Sequence, residues 1–132
     1  MHSYTIKIEN LNDKEIKVQA TFIQEEGDDM PLTTRMFLSK NTIMELIKIL
    51  ESIDPGKMEG GKVLTLKGPK DDIGVTIEGS ADFALLSIVN DHTKEDGTND
   101  PYGILDIPFI DGGILNRKYV TQLTDELIKF AR

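Results

Sequence analysis

The segment NDHTKEDGTNDPYG, residues 90 to 103, holds the clearest group of side chains in this chain that could carry out chemistry. His92 lies beside Asp91 and shortly before Glu95 and Asp96. A histidine next to a carboxylate acts as a general base when burial or a fixed partner holds it and tunes its pKa. Because the whole segment is polar, we predict a long loop in which His92 is exposed to solvent and is not catalytic.

The same segment has a partial resemblance to a calcium-binding loop. Asp96, Thr98 and Asp100 stand at alternating positions, as the oxygen ligands of calcium often do. Counted from Asp91, however, the sixth position is Asp96 where a glycine is needed, and the twelfth is Tyr102 where a glutamate is needed. We therefore predict no dedicated metal site and no cofactor, and weak adventitious calcium binding stays open.

The segment GKMEGGKV, residues 56 to 63, matches the phosphate-loop pattern at Gly56, Gly61 and Lys62. Val63 stands where a hydroxyl should hold magnesium. A helix is also predicted before the segment and a strand after it, whereas a phosphate-binding loop opens into a helix N-terminus. The pattern is more typical of a flexible connection from a helix to a strand.

Adjacent carboxylates occur at Asp28 with Asp29 and at Asp71 with Asp72. A carboxylate pair that works in acid–base catalysis needs one member buried with a raised pKa. We predict both pairs at charged turn tips, where burial is uncommon. Cysteine is absent and no serine lies in a G-x-S-x-G pattern, so no nucleophile is indicated. These observations favour a protein that is not an enzyme.

Length and composition are typical of one folded domain. The chain has 132 residues, of which 39% are hydrophobic and 29% charged, which suits a single core. We therefore predict one domain over residues 1–132. The N-terminal residues lack the apolar run of a signal peptide, and no stretch approaches the ~18 apolar residues of a membrane span. A soluble protein is expected, without a membrane partner and with the cytoplasm as its default location.

The net charge of -8 argues against nucleic acid as a partner and favours a basic protein. The acidic residues concentrate in residues 24–31 and 90–101. One explanation is that loops are charged because they are solvated. The other is a docking surface with apolar anchors beside the acids. The predicted partner-binding residues are Glu25, Glu26, Asp28, Asp29, Met30, Asp91, Glu95, Asp96, Asp100 and Tyr102.

Two kinds of hydrophobic periodicity indicate the elements that position these residues. Apolar residues alternate with polar ones from Tyr4 to Ile8 and from Ile16 to Phe22, and a third such run begins after Pro31. This pattern predicts a three-stranded antiparallel meander. A helical pattern follows, in which Thr42 and Glu45 have the spacing of a capping box. Its apolar stripe consists of Ile43, Leu46, Ile47, Leu50 and Ile53.

Four further strands and a second helix are predicted after the DPG segment. The strands lie near residues 64–66, 75–77, 83–90 and 103–109, with 83–90 as an apolar central strand. Pro108 removes a hydrogen-bond donor, so the last strand is predicted either to lie at an edge or to end there. The helix begins near Asn116. The predicted fold is α+β, with the order βββ-α-ββββ-α and two amphipathic helices packed on a mainly antiparallel sheet.

Two segments carry a resemblance to a known family. They are SKNTIMELIKILESIDPGKMEGGKVLTLKGPKDDIGVTIEG and GILDIPFIDGGILNRKYVTQLTDELIKF. Their running order resembles small bacterial immunity proteins of polymorphic toxin systems, including those paired with wall-associated toxins. The resemblance implies that the chain binds a cognate toxin domain and blocks it, often with an acidic surface against a basic nuclease. It implies no catalytic residues.

A second function remains open. A small-ligand-binding or regulatory α+β module could have a cleft between sheet and helix that the sequence does not reveal. A ligand that raises the melting temperature would favour that alternative over a protein partner.

Overall fold

The computed structural model describes residues 2–24, 31–57 and 62–132. These residues form an α+β fold of two antiparallel sheets and two α-helices, so the predicted fold class and element order are confirmed. Five predicted partner-binding residues lie outside the described residues, namely Glu25, Glu26, Asp28, Asp29 and Met30. Most of the glycine-rich segment, residues 58–61, also lies outside them.

The first sheet is the predicted meander. Its strands are paired in the order β1-β2-β3 and comprise β1 (His2–Asn10), β2 (Glu15–Gln24) and β3 (Leu32–Ser39). Alternate residues of β2 point into the core, and Ile16, Val18 and Ala20 are buried there. The period of two that the sequence shows is therefore the consequence of one covered face and one solvated face.

Helix α1 (Ile43–Ser52) connects the two sheets. Its predicted apolar stripe is buried, and the helix ends just before Pro55, which opens a short 3-10 turn. The predicted capping box does not form. The hydroxyl of Thr42 instead donates a hydrogen bond to Asp71, at 2.6 Å. A long-range partner thus replaces the local one.

The second sheet has the strand order β4-β5-β6-β7-β8. Its strands are β4 (Leu64–Lys67), β5 (Asp71–Gly79), β6 (Phe83–Thr93), β7 (Asn99–Asp111) and β8 (Ile114–Leu115). The two-residue β8 is an addition to the predicted order. β6 is central, as predicted. Asp71 is the first residue of β5 and is buried, so its predicted place at an exposed turn tip is wrong.

The polar segment at residues 90–103 is a β-hairpin, and the prediction of a long loop is wrong. β6 continues to Thr93 and β7 begins at Asn99, with a turn closed by the backbone bond from the N–H of Lys94 to Thr98. Gly97 takes a positive φ of 88° in that turn, which favours glycine. β7 also runs through Pro108, because the register shifts there by one residue.

Helix α2 (Lys118–Ile128) completes one core that draws on both sheets and both helices. The edge of β7 at Asp106 meets the first sheet rather than solvent. Tyr4 donates its hydroxyl to the carbonyl of Asp106 at 2.9 Å, and the N–H of Asp106 donates to Thr34 at 3.4 Å. These side chains form hydrogen bonds with backbone groups of β7 that an edge strand otherwise leaves unpaired. Neither described helix is long and apolar enough to cross a membrane.

Candidate functional site

His92 is completely buried near the end of β6, with 0% of its surface exposed. Leu86, Ile88, Asn90 and His92 are every second residue of β6, and they share the face of the strand that points into the protein. The prediction that His92 is a solvent-exposed loop residue is therefore wrong. The hairpin extends the strand past the apolar residues, and the inward positions at its end are polar.

Both ring nitrogens of His92 are held by carboxylates. Nδ1 lies 2.7 Å from Oδ1 of Asp71, and Nε2 lies 2.5 Å from Oε2 of Glu15. An ionised carboxylate only accepts hydrogen bonds, so this arrangement favours a proton on each nitrogen, which makes the ring an imidazolium. We call Glu15, Asp71, Asn90 and His92 the His92 cluster. It joins β2 of the first sheet to β5 and β6 of the second.

The carboxylates of the cluster have further donors. Asn90 donates from Nδ2 to Oδ1 of Asp71 at 3.0 Å and to the carbonyl of Phe37 at 2.7 Å. Thr42 and the N–H of Ser39 donate to the other oxygen of Asp71. A buried charge is tolerated when it is paired and its remaining lone pairs accept hydrogen bonds. Asp71 meets that condition.

Glu15 is satisfied in the same way at the other end of the cluster. Its Oε1 accepts hydrogen bonds from Nδ2 of Asn12 at 2.9 Å and from the N–H of Glu95 at 3.2 Å. The contact with Glu95 fixes the β6–β7 turn against the β1–β2 turn. Lys14 adds an exposed ion pair with the Glu95 carboxylate at 3.8 Å.

These contacts shift the pKa of each titratable member of the cluster. Burial by itself lowers the pKa of His92, but hydrogen bonds to Asp71 and Glu15 and their negative charges outweigh burial and raise it above 6.5. Burial by itself raises the pKa values of Glu15 and Asp71. Hydrogen bonds, that from His92 first, outweigh burial and lower both. All three groups are therefore stabilised in their charged forms.

The ring of Phe37 covers the cluster. It stacks on His92 with a centroid separation of 6.4 Å and an angle of 26° between the rings. Nζ of Lys94 lies 4.3 Å from the Phe37 centroid, a cation–π arrangement. Phe37 is itself 8% exposed. In this conformation water and substrates do not reach the imidazolium.

The chemistry available to the cluster is limited by these contacts. A general base needs a ring nitrogen within reach of the proton that it removes. Both nitrogens of His92 instead bind carboxylates of the protein. The geometry suits an internal ionic crosslink between the sheets. The described residues contain no group of three or more His, Cys, Asp or Glu side chains arranged to hold a metal ion.

The five described members of the predicted partner-binding set all belong to the β6–β7 hairpin. Asp91 lies on β6, Glu95 and Asp96 lie in the turn, and Asp100 and Tyr102 lie on β7. Asp100 is half-buried and the other acids are exposed. The fold therefore gathers these residues at one end of the second sheet.

The outer side of this hairpin combines acids with exposed apolar residues. Tyr102 is 83% exposed, as predicted for its ring, and Ile104, two residues later on β7, is 39% exposed. Val89 pairs with Ile104 across the strands, and both are partly exposed. We call Val89, Asp91, Tyr102 and Ile104 the hairpin face. Aromatic anchors beside charged residues are typical of protein interfaces.

Asp96 has a local structural role in the turn. Its Oδ1 accepts hydrogen bonds from the hydroxyl of Thr98 at 2.6 Å and from the N–H of the same residue at 2.9 Å. These bonds lower the pKa of Asp96. Two of the three oxygen ligands considered for calcium therefore bind each other.

A pocket of about 190 Å³ lies between the sheets at the far end of β7. The rings of Phe22 and Phe83 approach each other there at 6.4 Å between centroids. Its walls are otherwise Tyr4, Ala20, Leu32, Thr34, Leu85, Asp106 and Pro108. The lining is almost wholly apolar, and the volume exceeds the roughly 150 Å³ of a cavity that binds benzene. The sequence did not reveal this pocket, because strands far apart in the chain form it.

Comparison of the sequence with models of known families and with curated proteins returned no match.

The sequence carried signals for the buried histidine that the polarity of its neighbours hid. Asn90 and His92 continue the two-residue spacing of Leu86 and Ile88, and the dipeptide at residues 96–97 is Asp-Gly, a common hairpin turn. The partners Glu15 and Asp71 had no such signal. Each is distant in the chain, by 77 and 21 residues, and meets His92 only through tertiary packing.

Proposed function

We propose that this protein is a non-enzymatic, acidic binding protein that neutralises a basic protein partner, as the immunity proteins that its sequence resembles do. The observation that carries the proposal is the hairpin face, where Tyr102 and Ile104 stand exposed beside acids. The hairpin holds these residues on paired strands, so binding does not carry the entropy cost of ordering a loop.

The His92 cluster supports the same proposal. His92 would otherwise be the best candidate for acid–base chemistry, and its contacts commit it to holding the hairpin against the first sheet. The His92 cluster therefore fixes the position of the hairpin that carries the proposed docking surface. A net charge of -8 would steer a basic partner to the protein and would suppress binding to acidic ones.

Affinity capture from the native cell with the tagged chain, followed by kinetics with the purified partner, tests this function. Two variants separate the anchor from the charges. Tyr102→Ala is expected to raise the dissociation rate about tenfold or more, as for a central aromatic anchor. Asp91→Lys with Asp96→Lys is expected to slow association and to reduce its dependence on salt.

A matched control uses two acids on helix α2, away from the hairpin. Asp125→Lys with Glu126→Lys changes the net charge by the same amount. Glu126 is half-buried and pairs with Lys129, so the melting temperature of each variant is measured alongside. Failure to recover a stoichiometric basic partner, or equal effects of the hairpin and helix variants on association, would contradict the proposal.

Variants of the charged segment at residues 25–30 are tested separately. Reversing Glu25, Glu26, Asp28 and Asp29 is expected to slow association further while the melting temperature stays nearly unchanged. Unchanged association would remove this segment from the contact surface and leave the hairpin as the docking site.

Binding of a small apolar ligand is the second candidate function, and the pocket between the sheets favours it. A thermal-shift screen of small aromatic and aliphatic compounds, with and without calcium, tests that candidate. Stabilisation by one class of compound, together with the absence of a protein partner, would replace the first proposal.

A further inference from the structure

The pocket between the sheets lies on the same side of β7 as Ile104 of the hairpin face. Ile104, Asp106 and Pro108 are alternate residues of β7, so their side chains project to one side of the sheet, and the exposed Tyr102 precedes them at a register shift. Six residues of extended strand separate Tyr102 from Pro108, a distance of about 20 Å. One extended segment of a partner protein can therefore contact both Tyr102 and the pocket.

Among the described residues that line the pocket, Asp106 is the one with a charged side chain. Asp106 uses its backbone to bind Tyr4 and Thr34, and its carboxylate has no hydrogen bond or ion pair with any described residue. The carboxylate is half-buried, and its charge contributes after burial to raising the pKa of Tyr4. A cation placed at the rim of the pocket would compensate this charge.

The opposite wall of the pocket comes from β2 and β3 of the first sheet. Phe22 pairs with Leu32 across β2 and β3, and both line the pocket. The connection between these strands contains four acids and no base within residues 25–30. An apolar pocket that borders an unpaired carboxylate is complementary to an apolar side chain that has basic neighbours.

We propose that this pocket receives one large apolar side chain, flanked by lysine or arginine, from the basic protein partner. The inference rests on the proposed function and names the anchor on the partner's side of the interface. Leu85 and Pro108 form the floor on β6 and β7, Leu32 closes the side at 57% exposure, and Asp106 binds a flanking cation. Tyr102 then contacts the same partner at the other end of β7.

Peptide titration monitored by amide NMR tests the pocket without the natural partner. The probe is acetyl-Lys-Lys-Phe-Lys-Lys-amide. The expected shifts are at the amides of residues 20–22, 32–34, 85, 106 and 107, with saturation at millimolar peptide. The alanine peptide, acetyl-Lys-Lys-Ala-Lys-Lys-amide, is expected to bind about tenfold more weakly, which corresponds to one buried aromatic side chain.

Two variants and two matched controls assign the binding to the pocket. Asp106→Asn keeps the backbone contacts and is expected to weaken the probe about two- to fivefold, as for a partly exposed ion pair. Leu32→Ala is expected to weaken it several-fold at little cost in stability. Asp125→Asn and Ile128→Ala, exposed residues of helix α2, are expected to leave binding unchanged.

The outcomes distinguish this inference from the proposed function. Equal binding of the phenylalanine and alanine peptides, or of acetyl-Glu-Glu-Phe-Glu-Glu-amide, would overturn the pocket assignment and would leave the hairpin face as a docking surface. Binding of toluene in the pocket with no preference for the basic peptide would also overturn it, in favour of a small-ligand site. Probe binding as expected would support the pocket even where no toxin-like partner is captured.

Discussion

The most consequential residue of this protein is a histidine that pairs with two buried carboxylates. Each partner alone would be costly in the interior, because an uncompensated buried charge destabilises a fold by several kcal/mol. Together, His92, Glu15 and Asp71 are paired on both sides of the ring and accept further hydrogen bonds. The cluster explains how a strongly polar stretch of sequence can form the inner end of a strand.

The pH dependence of stability follows from the direction of each pKa shift. The pKa of folded His92 lies above 6.5, so its stabilising effect is complete below 6.5 and is lost as the pH rises through the folded value. The pKa values of Glu15 and Asp71 lie below 4.5 and 3.8, so their effect is present above those values and is lost as the pH falls through the folded ones. Urea unfolding across pH is expected to show maximal stability between about 4.5 and 6.5.

Substitutions at the cluster test the origin of that profile. His92→Gln leaves two buried carboxylates without a cation and is expected to cost about 3–5 kcal/mol and to abolish the alkaline decline. Glu15→Gln is the conservative variant, and is expected to move the decline to lower pH because one negative neighbour is removed. His2→Gln, at the other histidine of the chain, serves as the control. An unchanged alkaline decline in both cluster variants would show that His92 does not cause it.

At the scale of elements, the close approach of β3 to the β6–β7 hairpin positions the site. Gly103 of β7 makes this approach possible. A Cβ at that position would lie 3.0 Å from the carbonyl oxygen of Asn90 and 3.0 Å from Cβ of Met36. Phe37 and Ser39, which follow Met36 on β3, make the contacts with the His92 cluster. A change in this spacing would therefore be transmitted to the cluster.

Gly103→Ala is expected to destabilise the protein by about 1–3 kcal/mol, because backbone on both sides must move to admit the methyl group. The matched control is Gly74→Ala, also in a strand, where the added Cβ would meet only the end of the Val63 side chain at 3.3 Å. The control is expected to be neutral or stabilising by up to about 1 kcal/mol. Chemical unfolding measures both, and equal stability of the two variants would contradict the tight contact.

At the scale of the whole molecule, the two sheets share their core. Residues of both sheets and both helices form one hydrophobic cluster, from Tyr4 in β1 to Leu127 in α2. The ring of Tyr4 packs edge-on against Tyr119 of α2, with centroids 4.9 Å apart. The His92 cluster and the capped edge of β7 add polar links between the same two sheets.

Urea unfolding is therefore expected to be a single cooperative transition, in agreement with the predicted single domain. The chain has no tryptophan, so tyrosine fluorescence reports on the Tyr4 and Tyr119 contact while far-ultraviolet circular dichroism reports on the strands. The two signals are expected to have the same midpoint. Separate midpoints would indicate that the sheets unfold independently.

The sequence by itself determined the elements whose periodicity reflects one buried face. The meander of β1 to β3, the stripe from Ile43 to Ile53 and the central position of β6 follow from local patterns of apolar residues, and the structure has all of them. Local steric and hydrophobic effects act over a few residues, and a pattern of that length can be recognised in one chain.

Only the tertiary structure decided which polar residues are buried and which are exposed. Whether His92 is exposed or buried depends on Glu15 and Asp71, which lie on strands far away in the sequence. Polarity alone predicts solvent exposure, because burying a charge is unfavourable until its partners are present. The pocket beside Asp106 has the same character, since its walls come from both sheets. Pairing between distant strands has no local pattern, and for that reason the fold was predictable where the site was not.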